Sequence, residues 1–286
     1  MTQILDGKKI AADIQKEVAS EVRKLKKRGM TPGLAVILVG ENAASQVYVK
    51  NKRRACEATG IQSFAFDLPE KTSERELLTL IEKLNRDPHV HGILIQLPLP
   101  KHIDENKILM SIDPNKDVDG FHPVNAGKML IGQEGLRPCT PSGIIHLLDC
   151  AKIDLKGKHA VVIGRSNIVG KPTGVMLLVD RHATVTICHS LTKNLRDHIA
   201  MADVIVIAIG QPGFLKGDWL KRGAVVIDVG INRTEEGKLV GDVDFETAKK
   251  RAGAITPVPG GVGPMTIAML LQNVVKAAKM TIDYEP

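Results

Sequence analysis

Four strand-like runs, at 159–164, Thr184 to Cys188, Val204 to Ile209 and Ala224 to Val229, recur through the second half of this chain with room for a helix or short crossover between successive members. Strands that alternate with helical spacers predict a parallel sheet with helices on both faces, because a crossover is the only way to return to the start of a parallel neighbour. The first of these runs leads into Gly-Arg-Ser-Asn-Ile-Val-Gly from Gly164 to Gly170, with Pro172 just beyond. A tight strand-to-helix turn lets backbone N–H groups and a helix N-terminus meet an anion, as in dinucleotide sites. Ser166 stands where a GxGxxG loop has its second glycine, so the loop alone is equally consistent with an ordinary turn of an α/β protein.

The first half repeats the α/β theme more loosely. Its pattern predicts helices at 8–28, 43–59 and 73–86 and strands at Leu34 to Val39, 62–67 and Gly92 to Leu97, with Gly29 and Gly60 as helix stops. Between the halves, residues 120–138 hold Gly120, Pro123, Gly127, Gly132, Gly135 and Pro138, a density of turn residues that marks a boundary. Thr140-Pro141-Ser142-Gly143 then reads as an N-cap followed by proline at the first helical position. The expected organisation is two α/β domains with an active-site cleft between them. A catalytic domain at 1–119 and a boundary at 120–138 precede a Rossmann-like doubly wound domain at 139–264, and a last apolar helix within 265–286 packs back on the first domain.

Bulk properties exclude several classes. At 286 residues the chain is long enough for two cores, and no apolar run approaches the roughly 20 residues that span a bilayer. The opening Met-Thr-Gln-Ile-Leu-Asp-Gly-Lys lacks a signal-peptide pattern, so a cytoplasmic location is expected. Cys56, Cys139, Cys150 and Cys188 are scattered without metal-ligand spacing, which leaves no metal site and no disulfide framework to predict. The net charge of +7 favours acidic ligands. With five Phe, two Tyr and one Trp, and none interleaved with the basic clusters, stacking platforms for nucleic acid are lacking. A basic RNA-binding regulator remains the alternative from another class, marked by salt-sensitive RNA binding without redox activity.

The loop's neighbourhood bears on which dinucleotide would bind. NAD sites place a carboxylate at the end of the second strand, to accept hydrogen bonds from ribose hydroxyls. Here that strand runs out through Ile187-Cys188-His189-Ser190, and Arg165 and Ser190 instead offer charge and hydrogen bonding to a ribose phosphate. NADP is favoured on this logic, unless Arg165 merely pairs with a surface acid.

A second constellation lies in the first half. Tyr48 and Lys52 are four residues apart in a helical stretch and share one face. A lysine acts as a base only when neutral, which calls for burial or nearby positive charge, and Lys50, Arg53 and Arg54 are neighbours of the right sign. A solvated surface lysine is the commoner outcome in so basic a stretch. Gln96 sits near the C-terminal end of an apolar strand, where ligands of open sheets gather, and would orient a lysine or ligand there. Asp117 and Asp119 lie two apart at the boundary, and Asp119 would suit an amidine-like pair of N–H groups. A buried core glutamine and a turn-capping aspartate explain the same residues more plainly.

The ordered blocks Tyr48-Val49-Lys50-Asn51-Lys52, Gly92 to Pro100, Lys116 to Pro123 with Asn125 and Gly127, Pro138-Cys139-Thr140-Pro141, Gly164 to Gly170 and Thr256 to Thr266 closely resemble the bifunctional methylenetetrahydrofolate dehydrogenase/methenyltetrahydrofolate cyclohydrolase family. The resemblance runs from near the N-terminus to about residue 280. It implies NADP-dependent oxidation of 5,10-methylenetetrahydrofolate to the 5,10-methenyl form, then hydrolysis to 10-formyltetrahydrofolate, within one-carbon metabolism and purine biosynthesis. By the same resemblance Lys52 is the catalytic lysine, Tyr48 stacks on the folate ring, Gln96 holds the lysine and Asp119 binds the pterin. Gly164, Arg165, Ser166, Ser190 and Ile231 would contact NADP, and Gly260 and Gly263 lie in a loop beside folate and nicotinamide. Some relatives use NAD, sometimes with magnesium and phosphate, so cofactor choice rests on Arg165 and Ser190. The family also implies a homodimer and tetrahydrofolate derivatives as partners, with neither nucleic acid nor membrane expected. Dispersed basic charge would attract a polyglutamate tail on the folate. A monofunctional dehydrogenase of the same fold is the nearest competitor.

Overall fold

A computed structural model describes residues 2–282. In chain order the elements are β1 (Gln3–Ile4), α1 (Gly7–Lys27), β2 (Gly33–Val39), α2 (Ala43–Thr59), β3 (Gln62–Leu68), α3 (Glu74–Arg86), β4 (Gly92–Ile95), α4 (Glu105–Met110), α5 (Pro123–Leu130) and α6 (Cys139–Cys150). There follow β5 (His159–Ile163), α7 (Gly170–Arg181), β6 (Thr184–Cys188), α8 (Leu195–Met201), β7 (Val204–Ile207), β8 (Val225–Asp228), β9 (Asn232–Arg233), β10 (Leu239–Val240), α9 (Phe245–Lys249), β11 (Ala254–Ile255) and α10 (Val262–Ile282). The chain forms two compact α/β units. One gathers residues up to Ala12, Met129–Gln133 and Thr140–Thr266, and the other Asp13–Lys128, Glu134–Cys139 and the chain from Ile267 on.

The nucleotide-type unit holds a six-stranded parallel sheet in the order β1-β11-β8-β7-β5-β6. All four residues of β7, Val204 to Ile207, are buried, as a strand covered on both faces requires. Val161, Ile163, Ile205, Ile207 and Val226 meet Ile199 and Leu220 in its core. From β5 the chain steps to β6 on one side and returns to β7 on the other, so the direction of winding reverses between β5 and β7. Two strands of this sheet escaped the sequence reading, as did the separate antiparallel pair β9 and β10: β1 and β11 are each two residues long and pair only with partners more than 20 residues away, leaving no local periodicity to read.

The other unit is built on a three-stranded parallel sheet ordered β3-β2-β4. Every residue of β2, from Gly33 to Val39, is buried, and Ile37, Ile93 and Ile95 pack with Leu77 and Ile81 of α3. Local chemistry sets the helix ends. Asn42 Oδ1 caps α2 by accepting from Ser45 N at 3.0 Å, and Gly60 ends that helix in the left-handed region at φ +80°. Ser73 and Glu76 form a capping box at the start of α3.

Several expected boundaries shift, and the run at Val204 stops at Ile207 rather than Ile209. The strand at Gly92 stops at Ile95 rather than Leu97, which leaves Gln96 just beyond the sheet. The last helix starts at Val262, and α6 starts at Cys139, so Thr140 is not its N-cap. The Thr140 hydroxyl is instead 2.9 Å from Thr266 Oγ1, away from the first-turn N–H groups it was expected to satisfy. Among the described residues no helix is long and apolar enough to cross a membrane.

Candidate active site

In the unit built on β2, α2 carries Tyr48 and Lys52 one turn apart, and their environments differ. Tyr48 is 37% exposed, whereas Lys52 is 8% exposed. Lys52 Nζ donates to Gln96 Oε1 at 3.1 Å, and Gln96 Nε2 donates to Leu97 O at 2.8 Å. That second bond orients the amide so that its oxygen faces the lysine, and the end of β4 thereby fixes the position of a side chain on α2. Lys52 is therefore not the solvated surface lysine that composition favours. Arg53, expected among the neighbours that crowd it with positive charge, is committed elsewhere: its guanidinium makes bonds of 3.0 and 2.6 Å to the Asp67 carboxylate. This pair holds the Asp67 carboxyl below its usual range.

The two boundary aspartates divide their work. Asp117 is buried and accepts from Phe121 N at 3.2 Å, His122 N at 2.8 Å and Asn125 Nδ2 at 2.9 Å, so it shapes the turn that follows. Gly92 lets this segment lie against β4, since a Cβ there would sit 2.6 Å from Val118 Cγ1. Asp119 feels the Lys52 charge instead. Burial pushes its carboxyl up to about 6, a rise that Asp117 reinforces and Lys52 opposes. Two further residues secure the segment. Asn273 on α10 donates from Nδ2 to Val118 O and Arg137 O, both at 2.8 Å, and the Cys139 thiol donates to Val118 O at 3.2 Å. The sequence reading missed Asn273, although the adjacent amides Gln272 and Asn273 in an otherwise apolar helix were the available signal.

Because Asp119 holds its proton to higher pH when folded than a free carboxyl does, its contribution to stability is fully present below about pH 4 and is lost as pH rises to about 6. Asp119→Asn should therefore gain stability relative to the parent protein across that window, by up to about 3 kcal/mol, and hold the gain above it. Urea denaturation of both proteins at pH 4, 5, 6 and 7 checks this, and a difference independent of pH would contradict it.

In the other unit, the loop after β5 is closely folded on itself. Gly164 has φ +122°, and a Cβ on it would lie 2.4 Å from Ala208 O, in the segment leaving β7. A Cβ on Gly170 would lie 2.2 Å from Gly164 O, so the second glycine is required by backbone contact within the loop. Ser166 Oγ accepts from Val169 N and Gly170 N, each at 3.2 Å, and so caps the start of α7. Arg165 is exposed, with no ion pair or hydrogen bond to a described acid, which removes the plainer reading of its charge. Ile163 and Cys188 are register partners, so Arg165 and Ser190, each two residues on, leave the sheet from neighbouring strand ends. Ile231, 46% exposed, follows β8, and a Cβ on Gly263 would approach its Cδ1 at 3.6 Å. Gly260 has φ +110°, and its carbonyl accepts from Lys8 N at 3.1 Å.

A parallel sheet with a glycine loop at its reversal point defines a dinucleotide-binding α/β protein, here joined to a unit that holds a buried lysine bonded to a half-buried glutamine, with the charge of that lysine acting on Asp119. The chain belongs to the tetrahydrofolate dehydrogenase/cyclohydrolase family: residues 5–119 match its catalytic domain and 138–282 its NAD(P)-binding domain. The bifunctional protein FolD of Moorella thermoacetica is 62% identical over 277 residues, covering 97% of this chain and 99% of that protein. The crystal structure of the FolD methylenetetrahydrofolate dehydrogenase/cyclohydrolase of Campylobacter jejuni superimposes with a TM-score of 0.97 at 54% identity, covering 98% of this chain and 100% of that one. That of the Trypanosoma brucei dehydrogenase-cyclohydrolase, complexed with NADP cofactor and an inhibitor, gives 0.94 at 42% identity and covers 98% of each chain.

Proposed function

We propose that this chain oxidises 5,10-methylenetetrahydrofolate with NADP and then hydrolyses the 5,10-methenyl product to 10-formyltetrahydrofolate. The observation that carries the reading is the buried Lys52 Nζ held 3.1 Å from Gln96 Oε1, with Tyr48 one turn away. The similarity to bifunctional FolD proteins supports the pairing of the two activities.

The residues of the glycine loop fit a phosphorylated dinucleotide. Arg165 is an unspent charge, and no carboxylate ends β6 to select an unphosphorylated ribose. Arg165 and Ser190 would hold the ribose phosphate, Ser166 would present its backbone N–H, Gly164, whose own N–H is bonded to Cys188 O at 2.9 Å, would let the cofactor backbone approach the turn, and Ile231 would pack on the nicotinamide half. When bound, NADP supplies the hydride acceptor. The oxidation places no heavy proton-transfer demand on the chain, because the two folate nitrogens stabilise the cation left on the carbon between them. The protein's work there is to orient: Tyr48 stacks on the folate ring, Asp119 pairs with pterin N–H groups, and Gly260 and Gly263 border the ligands.

Hydrolysis requires a base. Water attacks the methenyl carbon, neutral Lys52 takes the proton at Nζ, and Gln96 Oε1 keeps that nitrogen aimed. When the bond from that carbon to the pterin-ring nitrogen breaks, the proton returns from Nζ to the departing nitrogen while the hydroxyl on that carbon gives up its own proton to solvent, leaving a formyl group on the other nitrogen. We read the enzyme further, from the family alone, as a cytosolic homodimer, and the net charge of +7 supports attraction of a polyglutamylated folate.

Initial rates of reduced-cofactor formation from methylenetetrahydrofolate test the redox half. NADP should be used at least about tenfold more efficiently than NAD, the margin that one charge-assisted phosphate contact provides. No reduced cofactor from either would overturn the reading, and an NAD preference would overturn the role given to Arg165.

A further inference from the structure

Asp242 lies between β10 and α9, with no part of it exposed, yet its carboxylate is saturated by donors from two separate segments, the loop after β7 and the start of β9. Oδ2 accepts from Ile209 N at 2.7 Å and Gly210 N at 3.0 Å, and Oδ1 accepts from Gln211 N at 2.8 Å and Asn232 Nδ2 at 2.9 Å. Three consecutive backbone N–H groups converging on one point form an anion-binding concavity, and here the chain fills it with its own carboxylate. Without that charge the three dipoles would oppose one another, and the 209–211 segment would have no reason to hold this shape.

The arrangement is reciprocal. Asp228, at the end of β8, accepts from Gly230 N at 3.0 Å, Asp242 N at 2.9 Å and Val243 N at 2.9 Å. A Cβ on Gly230 would lie 2.3 Å from Asp242 Oδ1, and one on Gly241 would lie 1.9 Å from Asp228 Oδ2. Each carboxylate therefore packs on a glycine beside the other aspartate, and neither loop can move without displacing both.

What the clasp holds is the rim of the reversal point in the sheet. The 209–211 segment directly follows Ala208, whose carbonyl closes against Gly164 of the glycine loop. Asn232 directly follows the exposed Ile231. Ligands of open parallel sheets bind at the carboxyl ends of strands flanking such a point. We infer that Asp242 is a positioning residue for the dinucleotide: it presets the loops after β7 and β8 that border the cofactor, and it contacts no ligand itself. This rests on the proposed use of NADP.

The test uses the full-length protein and compares Asp242→Asn and Asn232→Ala with the parent. Asparagine keeps the volume but turns one acceptor into a donor facing N–H groups, so NADP Kd and KM should rise about tenfold or more. Amide exchange at 209–211 should accelerate alongside. Asn232→Ala removes one donor and keeps the carboxylate, so its NADP Kd should rise in the same direction by less. Hydrolysis of methenyltetrahydrofolate without cofactor should stay within about twofold in both, because the clasp lies outside the unit that holds Lys52.

A folded Asp242→Asn protein with parental NADP affinity would overturn the inference, as would parallel loss of both activities with a lowered Tm. Should Asp242→Asn not fold, unchanged NADP affinity in Asn232→Ala overturns it instead. A parent protein that binds no NADP overturns the functional reading and this inference together, whereas a parent that binds NADP alongside indifferent variants overturns only the positioning role.

Discussion

Lys52→Met should abolish turnover of methenyltetrahydrofolate while leaving NADP binding intact. Methionine matches the lysine stem in length but can neither accept a proton from water nor return one to the departing nitrogen. Loss of a positioned acid–base group costs about 10²- to 10⁴-fold. The effect should fall near the top of that range, since Lys52 serves both proton transfers of the hydrolysis. The change also removes the donor that Gln96 Oε1 accepts from at 3.1 Å, so some loss of folate affinity accompanies it. NADP affinity is the control: Lys52 belongs to the unit built on β2, and the glycine loop to the other. Following methenyl absorbance decay against buffer, with NADP titration of the same sample, checks both halves. Hydrolysis at the parental rate would remove Lys52 from the mechanism.

The second large effect concerns the cofactor. Arg165→Ala should raise the KM for NADP by about tenfold to a hundredfold and leave that for NAD nearly unchanged, because a charge-assisted bond to a phosphate is worth about 1.5–3 kcal/mol. The expectation draws on two observations: Arg165 is exposed without an acidic partner, and it emerges beside Ser190 from neighbouring strand ends. Steady-state rates with both cofactors decide it. An unaltered NADP preference would shift the burden of discrimination to Ser190 or to backbone donors of the loop.

Much of the fold could be read from the chain because its strands are buried on both faces and its helices carry local punctuation. The strand over Leu34 to Val39 and the stop at Gly60 appear as their patterns predict, and the run expected at 159–164 forms a strand that ends one residue earlier, at Ile163. Two-residue strands such as Gln3–Ile4 could not be read, since their pairing with Ala254–Ile255 exists only in the folded chain. Thr140 shows a different failure. Capping chemistry was correctly recognised as available, but a tertiary partner, Thr266, took the hydroxyl.

The site divides in the same way. Residue types pointed to Tyr48, Lys52, Gln96 and Asp119 as candidates, yet single-residue odds favoured a solvated surface for Lys52, a core role for Gln96 and a turn cap for Asp119. What changes those odds is proximity, the 3.1 Å contact between residues 44 apart in sequence, and no spacing rule contains it. The division of labour between Asp117 and Asp119 was likewise hidden, because two aspartates in one short segment look alike until backbone N–H groups claim one of them. The Asp228 and Asp242 clasp left only an indirect trace, the glycines at 230 and 241 that its carboxylates pack against.

The central claim is that one chain performs both the oxidation and the hydrolysis. Its most direct test records reduced cofactor and methenyltetrahydrofolate simultaneously while the unmodified protein acts on methylenetetrahydrofolate and NADP. NADPH should accumulate steadily while methenyltetrahydrofolate stays at a low plateau and 10-formyltetrahydrofolate appears. One-for-one accumulation of methenyltetrahydrofolate with NADPH, decaying no faster than in buffer, would show a dehydrogenase alone and contradict the claim.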